Sequence, residues 1–149
     1  MPPSSHDADS GGLRSVGLKA TSPRLKILHL LRGGPKRHWS ADEVYRDLAG
    51  TGDDVGLATV YRVLAQLEQA GIVRRSSFDA GRAMYELDDG PHHDHLVCVR
   101  CGQVDEFVDE AIEARQQAVA RERGFELTEH RLALFGLCAG CRALSRKPV

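Results

Sequence analysis

The sequence predicts an α+β chain in two parts: a helical first half closed by a β-hairpin, then a second half mixing helix and strand. Three observations carry that reading. Apolar residues in the first half recur at helical spacing and give way to short strands after Gly71. The segment Asp88-Asp89-Gly90-Pro91 is charged and then turn-forming, the composition of a hinge. All four cysteines, and His92, His93, His95 and His130, lie beyond it.

Residues 1–17 are rich in Ser, Gly, Asp and Pro and read as a flexible N-terminal tail, with order beginning near Leu18. Ser22-Pro23 looks like an N-cap followed by proline at the first helical position. Leu25, Ile27, Leu28, Leu30 and Leu31 then supply a buried helix that Gly33-Gly34-Pro35 stops. Ser40-Ala-Asp-Glu43 has the form of a capping box and opens a short second helix carrying Val44, Tyr45 and Leu48. A third helix begins near Ala58, with Leu57, Val60, Leu64 and Leu67 on one stripe, and Gly71 ends it. Ile72–Arg75 and Ala83–Leu87 flank Asp79-Ala-Gly81 as a hairpin. Three helices and then a hairpin is the order of a winged helix-turn-helix, assigned to residues 18–87.

After the hinge at 88–91, strands are expected at His95–Arg100 and Gln103–Phe107, a helix over Val108–Arg123, and strands at Phe125–Thr128 and Arg131–Leu137. Residues 92–149 thus form an α/β domain ending in a basic tail. Each part is small enough that metals or oligomerisation often help its stability.

The 149 residues are 42% hydrophobic and 28% charged, ordinary for a soluble protein, with no membrane-length apolar run and no signal-peptide layout. The expected location is therefore the cytoplasm, where paired cysteines are more often metal ligands than disulfides. Lys plus Arg is 20 and Asp plus Glu is 21, so the net charge is −1, which argues against a partner held by bulk basicity alone. Residues 1–87 carry 12 basic and 10 acidic side chains, and residues 88–149 carry 8 and 11. The first part is the slightly basic one.

In that first part the helix from Ala58 presents Thr59, Tyr61 and Arg62 in its opening turns, where a recognition helix meets base edges and phosphates. Lys19 and Arg24 are further candidate DNA contacts, and Arg74, Arg75 and Arg82 make the wing basic. The bland alternative is an ordinary helical surface. With so little net charge, useful affinity calls for two such domains on one duplex, which favours a dimer.

In the second part, Cys98-x-x-Cys101 and Cys138-x-x-Cys141 offer four thiolates, the complement of a closed tetrahedral zinc site. A redox dithiol or buried unpaired cysteines are the rival readings. In His92-His93-Asp94-His95, an extended backbone sends His93 and His95 to one face and His92 and Asp94 to the other, so one tetrapeptide can feed two metal sites; a solvated polar hinge with incidental histidines is the rival reading. His38, Glu86, Glu106, Glu113 and His130 are the spare candidate ligands. Mixed imidazole and carboxylate donors suit Fe(II), Mn(II), Co(II) or Zn(II).

Gly17–Leu28, Gly56-Leu-Ala-Thr-Val-Tyr-Arg-Val-Leu64, Ala70–Val73, His92–Leu96, Cys98–Gly102 and Ile112-Glu-Ala-Arg-Gln116, taken in order, resemble the ferric uptake regulator (Fur) family from about Gly17 to Cys141. The resemblance implies a homodimeric, metal-activated repressor with a winged helix on an AT-rich palindromic operator and a C-terminal α/β dimerisation domain. It implies a regulatory interdomain metal site at His38, Glu86, His93 and His95, in some members with a carboxylate matching Glu106. It implies a second site at His92, Asp94, Glu113 and His130, and structural zinc at the four cysteines. Tyr61 and Arg62 match operator contacts and Lys19 a minor-groove contact. Glu86 and Glu106 stand where peroxide sensors tend to carry aspartates. The helix from Gly56 and the Ile112–Gln116 segment differ from the usual zinc-uptake pattern. Iron is therefore the expected signal, with zinc or peroxide sensing as alternatives. Trp39, bulky beside a ligand position, is expected to alter the approach of the two domains. A metal-dependent hydrolase is the rival of another class, but no nucleophile motif or phosphate loop accompanies the histidines. Pairing of dimers into tetramers stays open.

Overall fold

A computed structural model describes residues 4–79 and 82–145 and divides into two compact units, Met1–Gly90 and Pro91–Val149. The first holds α1 (Ser5–Ser15), α2 (Ser22–Gly33), α3 (Ala41–Gly50), α4 (Leu57–Gln69) and a hairpin of β1 (Val73–Asp79) and β2 (Arg82–Leu87). The second holds β3 (Asp94–Cys98), β4 (Val104–Phe107), α5 (Glu110–Glu122), β5 (Ala133–Gly136) and α6 (Ala139–Ser145).

In the first unit Ile27, Leu28 and Leu31 of α2, Val44 and Leu48 of α3, and Val60, Val63, Leu64 and Leu67 of α4 share one core with Val73 and Tyr85 of the hairpin. Each such side chain contributes about 1.5–3 kcal/mol by leaving water. Val63 takes the place expected of Leu57, which is exposed at the start of α4. The capping box at α3 is complete: the Glu43 amide donates to Ser40 Oγ at 3.2 Å, and the Ser40 amide donates to Glu43 Oε2 at 2.8 Å. Thr21 rather than Ser22 caps α2, leaving Pro23 inside the first turn, where its missing N–H is harmless. Strands β1 and β2 pair antiparallel from Val73↔Leu87 to Ser77↔Ala83. Residues 80 and 81 of the expected turn lie outside the described residues.

The segment expected to be a flexible tail carries α1. Ser4 caps it, and its Leu13 is fully buried against the common core. Asp9, itself buried, pairs with Arg32 of α2 at 2.7 Å. Two tertiary anchors outweigh the poor helix propensity of Gly11-Gly12.

In the second unit β3 is central, antiparallel to β4 and parallel to β5. Strand β5 is shorter than expected, and Phe125–Thr128 forms no strand. Gly124, at φ +78°, closes α5, and the Phe125 amide caps it by donating to the Ala120 carbonyl at 2.8 Å. The C-terminal residues read as a tail include α6, and residues 146–149 lie outside the described set. Among the described residues the buried apolar side chains of this unit are Val97, Cys98 and Cys141, and α5 buries none. Val108, Phe125 and Phe135 are more than half exposed on the single chain. No helix among the described residues is long and apolar enough to cross a membrane.

Candidate metal centres and nucleic-acid interface

The first donor pair is built by one bridge. Trp39 and Tyr85 exchange backbone hydrogen bonds of 2.9 and 2.7 Å outside the regular strands. In an antiparallel bridge the next residues outward face each other, which sets His38 opposite Glu86. Their side chains meet at 3.2 Å, His38 Nε2 to Glu86 Oε2, both buried. The edge of the His38 ring faces Phe78 at a centroid distance of 6.2 Å. Trp39 itself is buried in the core of the first unit, its indole N–H donating to the Lys36 carbonyl at 2.9 Å. Its bulk is thus absorbed by this unit's core.

Strand β3 and the two residues before it send their donors to two different groups. His95 lies opposite Glu106 in the β3–β4 register, and His93 Nε2 stands 3.6 Å from Glu106 Oε1. The His93 and His95 rings meet edge to face at 4.8 Å. His92 and Asp94 serve a different cluster: His92 Nε2 lies 3.2 Å from Asp94 Oδ1 and 3.2 Å from Glu113 Oε1. His130 Nε2 reaches Glu113 Oε2 at 2.9 Å. One ligand atom from each of these four residues lies within 4.8 Å of the others. The His130 imidazole beside Glu113 holds that carboxyl below its ordinary value. Asp94 is 1% exposed, and its Oδ2 has no hydrogen-bond partner among the described residues. A buried carboxylate oxygen left so is costly, and a cation would satisfy it. The donor set therefore fits a divalent metal.

The four cysteines converge as well. Cys98 ends β3, Cys101 sits in the following turn before Gly102 at φ +77°, and Cys138 and Cys141 bracket the start of α6. Their Sγ atoms lie within 4.8 Å of one another, Cys101 to Cys138 at 3.7 Å. Four bonds of about 2.3 Å to one tetrahedral zinc require sulfur separations near 3.8 Å. All four thiols are free of disulfides. Backbone N–H groups of Cys101 and Cys138 lower the Cys98 thiol to about 6, whereas burial pushes Cys141 up to about 12. A dication offsets the cost of ionising the second. Convergence of both pairs is what a metal cage needs and a single redox dithiol does not. Arg100 ties α6 to this knuckle, donating to Ser145 Oγ at 3.0 Å. Sequence reasoning missed that clamp because it spans 45 positions.

On α4, Tyr61 is 47% exposed and Arg62 is exposed, its Nη2 3.5 Å from Thr59 Oγ1. Lys19 is exposed before α2. Arg24 is placed differently: its guanidinium donates to Gln66 of α4 and to the Lys19 carbonyl. On the wing, Arg74 pairs with Asp88 at 2.6 Å and Arg82 with Glu43 at 3.6 Å, while Arg75 is exposed.

Residues 15–135 match the model of the ferric uptake regulator family. The ferric uptake regulation protein of Cupriavidus metallidurans is 58% identical over 126 residues, 85% of this chain and 88% of that protein. The crystal structure of the Vibrio cholerae ferric uptake regulator superposes with a TM-score of 0.82 at 49% identity, covering 87% of this chain and 98% of that one. The regulator from Francisella tularensis, solved with iron, gives 0.81 at 42% identity, covering 85% and 96%.

Proposed function

The chain belongs to the ferric uptake regulator family, and from that premise we propose that it is a metal-dependent transcriptional repressor, binding operator DNA as a homodimer when loaded with Fe(II) and controlling iron-uptake genes. The family's members are transcription regulators, not enzymes. The observation that carries the reading is the His38–Glu86 pair. A buried imidazole and carboxylate, 3.2 Å apart and set by a dedicated bridge, are costly to bury and chemically suited to share one divalent cation.

The regulatory metal is assigned to His38 and Glu86 together with His93 and His95, with Glu106 as a further donor. The second site is His92, Asp94, Glu113 and His130, and structural Zn(II) belongs to Cys98, Cys101, Cys138 and Cys141. A bound divalent cation supplies coordination positions that imidazole and carboxylate can share. Mn(II), Co(II) and Zn(II) are chemically acceptable substitutes for iron. Donors drawn from both sides of Asp88–Pro91 would restrict that hinge and hold the two recognition helices of a dimer at one spacing. With the donors released, fewer molecules present that spacing, and apparent DNA affinity falls by the same fraction.

Thr59, Tyr61 and Arg62 are proposed to meet the DNA in the major groove and Lys19 in the minor groove, on an AT-rich palindrome. Dimerisation through the second unit is supported by its exposed Val108, Phe125 and Phe135. Action on chromosomal operators places the protein in the cytoplasm, as dimers or pairs of dimers. Iron as the signal is supported by Glu86 and Glu106 and by the iron-bound Francisella relative. The test is a pair of variants, His93→Ala and His95→Ala. Both should retain zinc and dimerise, yet lose metal-stimulated DNA binding. If both bind and respond to metal as the unaltered protein does, the reading is wrong.

A further inference from the structure

Arg24 sits in the first turn of α2, a turn with no acidic residue. A cation there opposes the helix macrodipole, so its position is not explained by helix stability. Its hydrogen bonds explain it. Nε and Nη2 donate to Gln66 Oε1 at 3.3 and 2.9 Å, and Nη1 donates to the Lys19 carbonyl at 2.9 Å. The guanidinium only donates, so the Gln66 atom facing it must be the oxygen. The Lys19 carbonyl also accepts from the Thr21 amide at 2.9 Å, which folds Lys19–Thr21 into a tight turn before α2. On α4, Thr59, Arg62 and Gln66 follow one another at spacings of about one turn and share a stripe. The forked side chain thus links the DNA-facing stripe of the recognition helix to the backbone of the segment that carries Lys19.

We propose that Arg24 is a positioning residue, fixing Lys19 at a set distance from Thr59 and Arg62 through Gln66, rather than a DNA contact in its own right. The inference rests on the DNA-binding reading above and adds a residue, Gln66, that sequence reasoning did not single out. A fork that bridges two acceptors cannot be replaced by a point charge. A phosphate contact can.

The experiment measures binding of the full-length, metal-loaded protein to a palindromic duplex selected from a randomised pool, across a salt series. The proteins are the unaltered chain, Arg24→Lys, Arg24→Met, Gln66→Met and the Arg24→Met/Gln66→Met double variant, each checked for its thermal unfolding midpoint. Positioning predicts that Arg24→Lys, Arg24→Met and Gln66→Met each lose affinity by about tenfold and that the double variant is no worse than either single Met variant. The log–log salt slope should change to the same extent in Arg24→Met and Gln66→Met, because both displace the same Lys19. Lys19→Ala should cost less in the Gln66→Met background than alone, which general destabilisation would not produce. A direct phosphate contact predicts the reverse: Arg24→Lys binds normally, Gln66→Met is silent, and Arg24→Met lowers the slope by nearly 2 for a dimer with two copies. That pattern overturns the proposal. Failure of the unaltered metal-loaded protein to bind any duplex refutes the regulator reading, and this inference with it.

Discussion

Replacing Cys138 with serine removes one donor from the thiolate cluster and tests what holds the second unit together. Val97 is its one buried aliphatic side chain among the described residues, a contribution of about 2 kcal/mol. Closed structural zinc sites contribute on the order of 10 kcal/mol at neutral pH, comparable to the whole stability of an average domain, about 5–15 kcal/mol. Losing the metal should therefore unfold this unit rather than loosen it. Cys138 also donates its amide to Cys98 Sγ at 3.4 Å, so the sulfur it leaves behind loses its neighbouring ligand while keeping that contact. The chain contains one tryptophan, Trp39, buried in the first unit, so its fluorescence reports that unit alone while far-ultraviolet circular dichroism reports both. For Cys138→Ser the expectation is no bound zinc by elemental analysis, loss of helix and strand signal before urea is added, monomeric sedimentation, and an unchanged fluorescence midpoint. A zinc-free variant that stays dimeric, with circular dichroism and fluorescence transitions like those of the unaltered protein, would show that zinc does not hold this unit together.

Ser40→Ala removes one half of the capping box and should cost about 1 kcal/mol of first-unit stability, read from the urea midpoint of Trp39 fluorescence. Gly34→Ala would place a Cβ 2.6 Å from both the Leu30 carbonyl oxygen and Trp39 Cζ2; overpacking of this kind should cost about 1–3 kcal/mol and shift the Trp39 emission maximum. The depressed Glu113 carboxyl stabilises the fold fully above its unfolded value of 4.5, and that contribution disappears as pH falls through its lower folded value. Urea midpoints of zinc-loaded protein, free of other metals, should therefore decline on acidification below about pH 4.5, and Glu113→Gln should flatten that decline.

Much of this was legible in the sequence because strong local signals agreed with tertiary need. The capping box, the Val60–Leu67 stripe and the hairpin after Gly71 are cases where pattern and packing point the same way. Alternation along His92–His95 predicts that His93 and His95 part from His92 and Asp94, and the two pairs do fall into different donor groups. What was not legible depends on contacts distant in sequence. Helix α1 is poor in apolar residues and contains two glycines, so only its Leu13 and Asp9 anchors reveal it. Helix α6 is seven residues long and is held by cysteines and by Arg100 from far away in the chain. Phe125, Phe135 and Val108 look like core residues in sequence but are exposed on the single chain. Arg24 reads as a DNA contact in the sequence, whereas its guanidinium donates to Gln66, 42 positions on.

Under the proposed function, loading with a divalent metal controls DNA binding. An anaerobic titration decides this: protein of known zinc content, a fixed duplex, and added Fe(II), Mn(II), Zn(II) or chelator, followed by fluorescence anisotropy of the labelled DNA. Fe(II) should raise affinity by at least about 100-fold over the chelated protein, equivalent to a coupling of about 2.7 kcal/mol, with the structural zinc retained throughout. Equal affinity in the chelated and Fe(II)-loaded states would contradict the claim.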